Sequence, residues 1–198
     1  MARRPFIANL ALCNLLWAMK QVLGQDGLAA MLKTVGHTEY LGDYPPPDIQ
    51  EEVGFGDYAV LHKAVADYYG TGARSVLNRV GCAVFNREFT AQVSFGIQVR
   101  RRLLPKRACL GFTLEAVARM WTNDQRLPTS VARSAGGFIF TLEKIPVAWG
   151  RSVKALIAHT HTGYLEQAGL WATGAPVEIQ SVACALTQCR YRVTLSSS

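Results

Sequence analysis

Apolar positions in the first two-thirds of the chain recur at helical spacing. Ile7, Leu10, Leu15, Met19 and Val22 step toward Gly24, and a shorter run over residues 28–35 follows Asp26-Gly27 and stops at Gly36. The two pieces predict a helical hairpin. Tyr44-Pro45-Pro46-Pro47 cannot lie inside a helix, because proline has no N–H to donate and clashes with the preceding turn, so residues 40–48 form an extended connector. Tyr58, Leu61, Val65 and Tyr68 then share one face of a helix over 57–69. Past Gly70-Thr71-Gly72 another helix aligns Ala73, Val76, Leu77, Val80 and Val84. Residues 89–104 fit neither period. Leu110, Leu114, Val117 and Trp121 define a further helix ending near Asn123-Asp124.

Beyond Pro128 the period falls to two. Residues 131–133 and 138–143 flank Ala135-Gly136-Gly137 as a hairpin with Phe138, Phe140 and Leu142 on one face. Val153, Leu156, Ile157, Thr160, Tyr164 and Ala168 mark a helix, and residues 177–183 and 189–195 form a second hairpin that turns Tyr191, Val193 and Leu195 together. This pattern predicts one α+β domain over 1–198. A mainly helical part (1–127) packs on a C-terminal antiparallel sheet (128–195) built as hairpin, helix, hairpin, with helices on one side.

Composition adds an apolar surplus. Hydrophobic residues make up 49% of the 198 and charged residues 18%, against about 25% charged in an average chain. A lined pocket, a subunit interface or a membrane contact uses such a surplus. The net charge of +7 favours anionic partners. It is concentrated in Arg100, Arg101, Arg102, Lys106 and Arg107, interleaved with Val99, Leu103 and Leu104, which suits an anionic ligand group or a membrane surface; a solvated helix end is the competing reading. No nucleic-acid-binding spacing is present, so nucleic acid is not an expected partner. Five scattered cysteines argue against a disulfide framework and for a reducing, cytoplasmic setting. No run reaches the roughly 20 apolar residues that cross a bilayer. The apolar start of the chain, broken by Asn9 and Asn14, reads as a helix rather than a signal peptide.

Catalytic signatures are missing from the motifs. His159 and His161 sit two apart, so on a helix their rings diverge by about 200° and cannot share a metal. His161 continues the Ile157–Leu165 stripe and should face the interior as a hydrogen-bonded core histidine. Val93-Ser94-Phe95-Gly96 lacks the first glycine of a nucleophile elbow, and the chain has no dinucleotide or phosphate-loop fingerprint. Its fourteen carboxylates read mostly as caps or exposed partners. Aromatic bulk is plentiful, and Trp17, Phe85, Phe112, Trp121, Phe138, Phe140, Trp149 and Tyr164, with His161, suit the lining of a pocket between helices and sheet. Ordinary core packing is the alternative for each.

Ile145-Pro146-Val147-Ala148-Trp149-Gly150, Glu178-Ile179-Gln180-Ser181 and Cys189-Arg190-Tyr191-Arg192-Val193 resemble the signature of the 4-vinyl reductase (hydrocarbon-binding) domain family. The N-terminal residues 14–24, the Tyr-Pro-Pro connector and Tyr69-Gly70 resemble its stand-alone bacterial members. The resemblance implies the ligand-binding fold shared with haem-nitric-oxide-binding domains and vesicle-tethering subunits. It also implies a hydrophobic ligand such as a hydrocarbon, a lipid or a tetrapyrrole precursor of bacteriochlorophyll synthesis. Some family members hold zinc at positions matching Ala148, Glu178, Ser181 and Cys189. Two of the three thiolates are replaced here, so zinc is not expected unless Cys184 swings in through a bulge.

The sequence thus predicts a cytoplasmic, membrane-peripheral binding or carrier protein, more a binder than an enzyme, with no resident cofactor beyond a bound tetrapyrrole or lipid, and a homodimer as its assembly. The alternative is a non-catalytic scaffold subunit that docks on a larger, membrane-bound complex.

Overall fold

The computed structural model describes residues 5–92, 104–146, 158–184 and 188–196. Among these residues five α-helices lead to and interrupt a four-stranded antiparallel sheet. They are α1 (Asn9–Val35), α2 (Phe55–Tyr69), α3 (Ala73–Gln92), α4 (Lys106–Asp124) and α5 (Ala158–Thr173). A short ribbon pairs β1 (Phe6–Ile7) with β2 (Val53–Gly54), while β3 (Thr129–Ser134), β4 (Gly137–Leu142), β5 (Val177–Cys184) and β6 (Cys189–Leu195) make the main sheet in the order β3-β4-β6-β5.

The predicted pair of N-terminal helices is present as two helical segments of α1 that meet at a kink. Gly24 has φ 76° and ψ 171°, a conformation that a side chain would strain. The run ends at Gly36, whose N–H reaches the carbonyls of Leu32 and Lys33, so the stop lies where the periodicity put it. The polyproline connector is tied to the start of α1. Asn9 donates from Nδ2 to Asp48 Oδ1 (3.0 Å) and Glu52 Oε2 (2.8 Å), and its backbone N–H reaches the Gln50 carbonyl (2.9 Å). The chain then enters β2, a pairing too short for periodicity to predict.

Both predicted hairpins form. In β4, Phe138, Phe140 and Leu142 are buried, and in β6 so are Cys189, Tyr191 and Val193; their partners pair as Phe138↔Val193 and Phe140↔Tyr191. Alternation explains the two faces: odd positions of β6 meet the helices and Arg190 and Arg192 meet water. Helices α4 and α5 cover this face, and α3 packs behind α5. The α3–α5 crossing is unusually close. A Cβ on Gly81 would lie 2.0 Å from the Thr160 carbonyl oxygen, and one on Gly163 would lie 2.0 Å from that of Asn78. Contacts Cys82 to Gly163 and Asn86 to Gln167 advance together, so the two helices run parallel.

β5 is irregular where it matters. Ser181 pairs with Tyr191 and Ala183 with Arg190, leaving Val182 as the extra residue of a bulge and setting Cys184 opposite Cys189. The two form a disulfide. This corrects the expectation that the cysteines stay unpaired, and it does so by the bulge that the hairpin would need to bring Cys184 inward.

Candidate functional site

A buried polar cluster lies where α1, α3, α4 and α5 meet above the sheet. Its centre is Glu88 on α3, 6% exposed. Asn14 Nδ2 and Gln125 Nε2 both donate to Glu88 Oε1, at 3.0 and 2.7 Å. Asn14 Oδ1 in turn accepts from Arg87 Nε at 2.8 Å, and the Arg87 guanidinium stacks 4.7 Å over the half-buried Trp17 ring. A polar chain therefore runs from near the surface into the core. Burial pushes the Glu88 carboxyl up to about 7, although the groups around it, Asn14, Tyr164, Trp121 and Gln125, all favour its charged form. Glu88 Oε2, the Tyr164 hydroxyl and Trp121 Nε1 are near one another yet none makes a hydrogen bond of ordinary geometry.

Aromatic rings enclose this centre. Trp121 meets Phe140, Tyr164 and His161 at centroid distances of 5.7, 4.8 and 5.7 Å, and Phe85 meets Tyr164 at 5.2 Å. His161 Nδ1 lies 3.1 Å from the Tyr191 hydroxyl, as a core histidine should. Burial, and secondarily neighbouring His62, lowers its pKa to about 3. His62 on α2 is also buried; its Nδ1 is 3.1 Å from the Tyr58 carbonyl oxygen and its Nε2 has no partner among the described residues. Burial lowers its pKa to about 4 despite the favourable carbonyl. Both imidazoles are therefore neutral near pH 7. Tyr58, Tyr164 and Tyr191 are all held above the ordinary phenol range, chiefly by burial.

Of the residues predicted to line a pocket, Phe85, Trp121, Phe138, Phe140, His161 and Tyr164 are buried together. Phe112 is not: it is 47% exposed and occupies the solvent side of α4, because Leu110, Leu114 and Val117 take the inner stripe. Trp17 stands apart under Arg87 at the rim. Trp149, Ala148, Arg100, Arg101 and Arg102 lie outside the described residues. Lys106 and Arg107 are exposed at the start of α4, with Arg107 Nη2 3.4 Å from the Ser134 carbonyl. Around the degenerate metal positions, Glu178 is exposed, Ser181 Oγ sits 3.4 Å from Cys184 Sγ, and Cys189 is engaged in the disulfide. Among the described residues no group of three or more histidine, cysteine or carboxylate side chains is placed to hold a metal ion.

Sequence reasoning missed Glu88, Asn14 and Gln125. Glu88 nevertheless falls four residues after Val84 on the apolar stripe of α3, and a carboxylate at a core position is a legible signal. Asn14 interrupts an apolar run, and nothing local in the sequence marks it as a partner of Glu88. Gln125 is placed by the turn after α4, where Arg126 adopts φ 60° and Leu127 N–H returns to the Trp121 carbonyl.

No family model and no curated protein matches the chain. Solved structures do match over nearly its whole length, at low identity. An Fe(II) unliganded H-NOX protein from K. algicida superposes with TM-score 0.60 and 11% identity, covering 96% of this chain and 97% of that one. A structure described as probing haem distortion in the H-NOX family gives 0.57 and 11%, covering 96% and 95%. An oxygen-binding H-NOX domain related to soluble guanylate cyclases gives 0.53 and 12%, covering 93% and 92%. The chain therefore has the H-NOX fold, the α+β architecture expected from its periodicity. These neighbours also correct the expectation that no cofactor belongs in such a fold: the second is described by the distortion of its haem and the first by its iron. Among the described residues no helix is long and apolar enough to cross a membrane.

Proposed function

We propose that the chain is a small-molecule-binding domain whose ligand is a flat, largely apolar ring system of the tetrapyrrole class, held where α3, α4 and α5 face the sheet. One observation carries the reading. Glu88 Oε2, Trp121 Nε1 and the Tyr164 hydroxyl are buried with only one another for partners, in poor hydrogen-bond geometry, and His62 Nε2 has no partner among the described residues, all in a setting of aromatic rings. Each such atom costs on the order of 1–3 kcal/mol if nothing completes it. A ligand with an apolar face and a polar or metallic centre would recover that cost.

The residues suit an iron porphyrin in their donor chemistry, because iron in such rings takes a histidine, cysteine, methionine or tyrosine ligand, and neutral imidazole is available here. Phe140, Tyr164, Leu165 and Tyr191 expose 1% or less, so the rings must separate to admit a macrocycle. When bound, such a group supplies diatomic-gas binding or electron transfer. The chain's own residues would orient it, exclude water from it and place Glu88 beside it. Lys106 and Arg107 offer charge for an anionic tail. The resemblance to 4-vinyl reductase domains supports a vinyl-bearing pigment precursor within this class; it rests on the motif residues alone.

Titration of the purified chain with hemin, and separately with metal-free protoporphyrin, tests the proposal. Saturable binding at one ring per chain, with a shifted Soret band and quenched tryptophan fluorescence, is the expected result. Absence of binding by either ring, in a chain that instead co-purifies with a larger complex, would overturn it in favour of an assembly subunit.

A further inference from the structure

We infer that the cleft between α4 and the edge strand β3 is a second binding site, one that takes a small aromatic monocarboxylate. It lies beside the ring-binding region and apart from it, since Glu88, Trp121 and Tyr164 do not line it.

The cleft has a volume of about 440 Å³, inside the span of roughly 300–1,000 Å³ that small-molecule sites occupy. Small residues on α4 open it. Gly111 stands over the Phe138 ring, and a Cβ there would lie 2.7 Å from Phe138 Cζ, so any side chain at 111 would displace the ring. Ala108, almost one turn earlier, lines the same wall. Phe112 stands beside them, 47% exposed, and with Phe138 makes the aromatic part of the lining. Both rings are among those that the sequence assigns to a ligand pocket, and they share one here, on the flank of α4 next to β3.

Charge selects the ligand. Arg133 is the cross-strand partner of Phe138, and directly opposed residues point to one face, so Arg133 rises on the helix side of β3. Arg107 reaches the same place from α4: its Nη2 donates to the carbonyl oxygen of Ser134, the residue after Arg133, at 3.4 Å. Two guanidiniums thus converge on one aromatic cleft. Among the described residues neither has a carboxylate within ion-pair distance. Two neighbouring cations repel, and a carboxylate between them replaces repulsion with paired, charge-assisted hydrogen bonds in the planar geometry that guanidinium offers. Glu115, the other charged residue of the lining, is eight positions along α4 from Arg107, about 12 Å of helix. It disfavours a second anionic group at that end, so the site takes one carboxylate and an apolar body.

Titration calorimetry of the full chain with naphthoate tests the inference, with uncharged naphthamide and dianionic naphthalene dicarboxylate as comparisons on the same ring. Saturable binding of one naphthoate per chain is expected, with both comparisons weaker by about tenfold or more. Arg107→Gln and Arg133→Gln should each weaken naphthoate about tenfold, and Glu115→Gln should narrow the gap between the mono- and the dicarboxylate. Ala108→Trp, which fills the cleft from an exposed position, should abolish naphthoate binding while keeping the far-ultraviolet circular dichroism and the hemin binding of wild type. No saturable binding by wild type overturns the inference, as does equal affinity for naphthamide. Unchanged binding in Ala108→Trp, or in both arginine variants, places naphthoate elsewhere and overturns it too. Loss of hemin and naphthoate together in a folded Ala108→Trp would merge the two sites into one and overturn the claim of a second.

Discussion

At the scale of the residue, the molecule's investment is in a few buried polar atoms. Asn14 is the hinge of the chain of hydrogen bonds, since it accepts from Arg87 and donates to Glu88. Asn14→Ala should therefore destabilise the fold by roughly 1–3 kcal/mol, the cost of leaving a buried acceptor and a cation without their partner; urea unfolding measures it. Tyr164→Phe is the contrasting case. The hydroxyl makes no hydrogen bond of ordinary geometry in the ligand-free chain, so its removal should change stability by less than about 1 kcal/mol while weakening ring binding. Equal losses of stability from both substitutions would contradict this assignment.

At the scale of the element, two features decide the geometry. The α3–α5 crossing depends on Gly81 and Gly163, where an added methyl would meet backbone rather than a movable side chain. Gly81→Ala and Gly163→Ala should each cost about 1–3 kcal/mol or more, as overpacking does, and should disturb Phe85 and Tyr164 on the same pair of helices, visible as loss of near-ultraviolet circular dichroism. The β5–β6 hairpin is closed by Cys184–Cys189, and Cys13, Cys82 and Cys109 take part in no disulfide. Alkylation of the denatured, unreduced chain should label three cysteines, and five after reduction. Helix periods were legible because the stripes are long; the bulge at Val182 was not, because one extra residue leaves no trace in alternation.

At the scale of the whole molecule, buried titrating groups set the dependence of stability on pH. His62 and His161 have folded pKa values of about 4 and about 3, below their ordinary 6.5, so the unfolded chain binds more protons and stability is lost as pH falls through that range. Glu88 acts oppositely. Its folded pKa of about 7 exceeds the ordinary 4.5, so its stabilising contribution is present below pH 4.5 and lost as pH rises through 7. Between pH 4.5 and 6.5 the two imidazoles outweigh the one carboxyl, so the ligand-free chain gains stability from acid toward neutrality and the curve flattens near pH 7, where all three groups have titrated. Glu88→Gln should steepen the gain between pH 4.5 and 7 and raise stability at pH 8; thermal melts across pH 4–8 read both. An unchanged slope in Glu88→Gln would assign the opposing titration to another group.

The sequence by itself determined the class and order of the elements, because helix and strand formation are local and their periods are written in consecutive apolar positions. It also marked His161, Trp121, Phe140 and Tyr164 as inward-facing, since each continues a stripe. Only the tertiary structure decided which inward groups meet. Asn14, Glu88 and Gln125 are separated by 74 and 37 residues and converge on one carboxyl oxygen, and no local pattern encodes that distance. It decided as well that Phe112 faces water, that Cys184 reaches Cys189, and that His62 Nε2 has no partner among the described residues. Those outcomes depend on what the rest of the chain brings alongside, and partnership in a packed core is a property of neighbours in space.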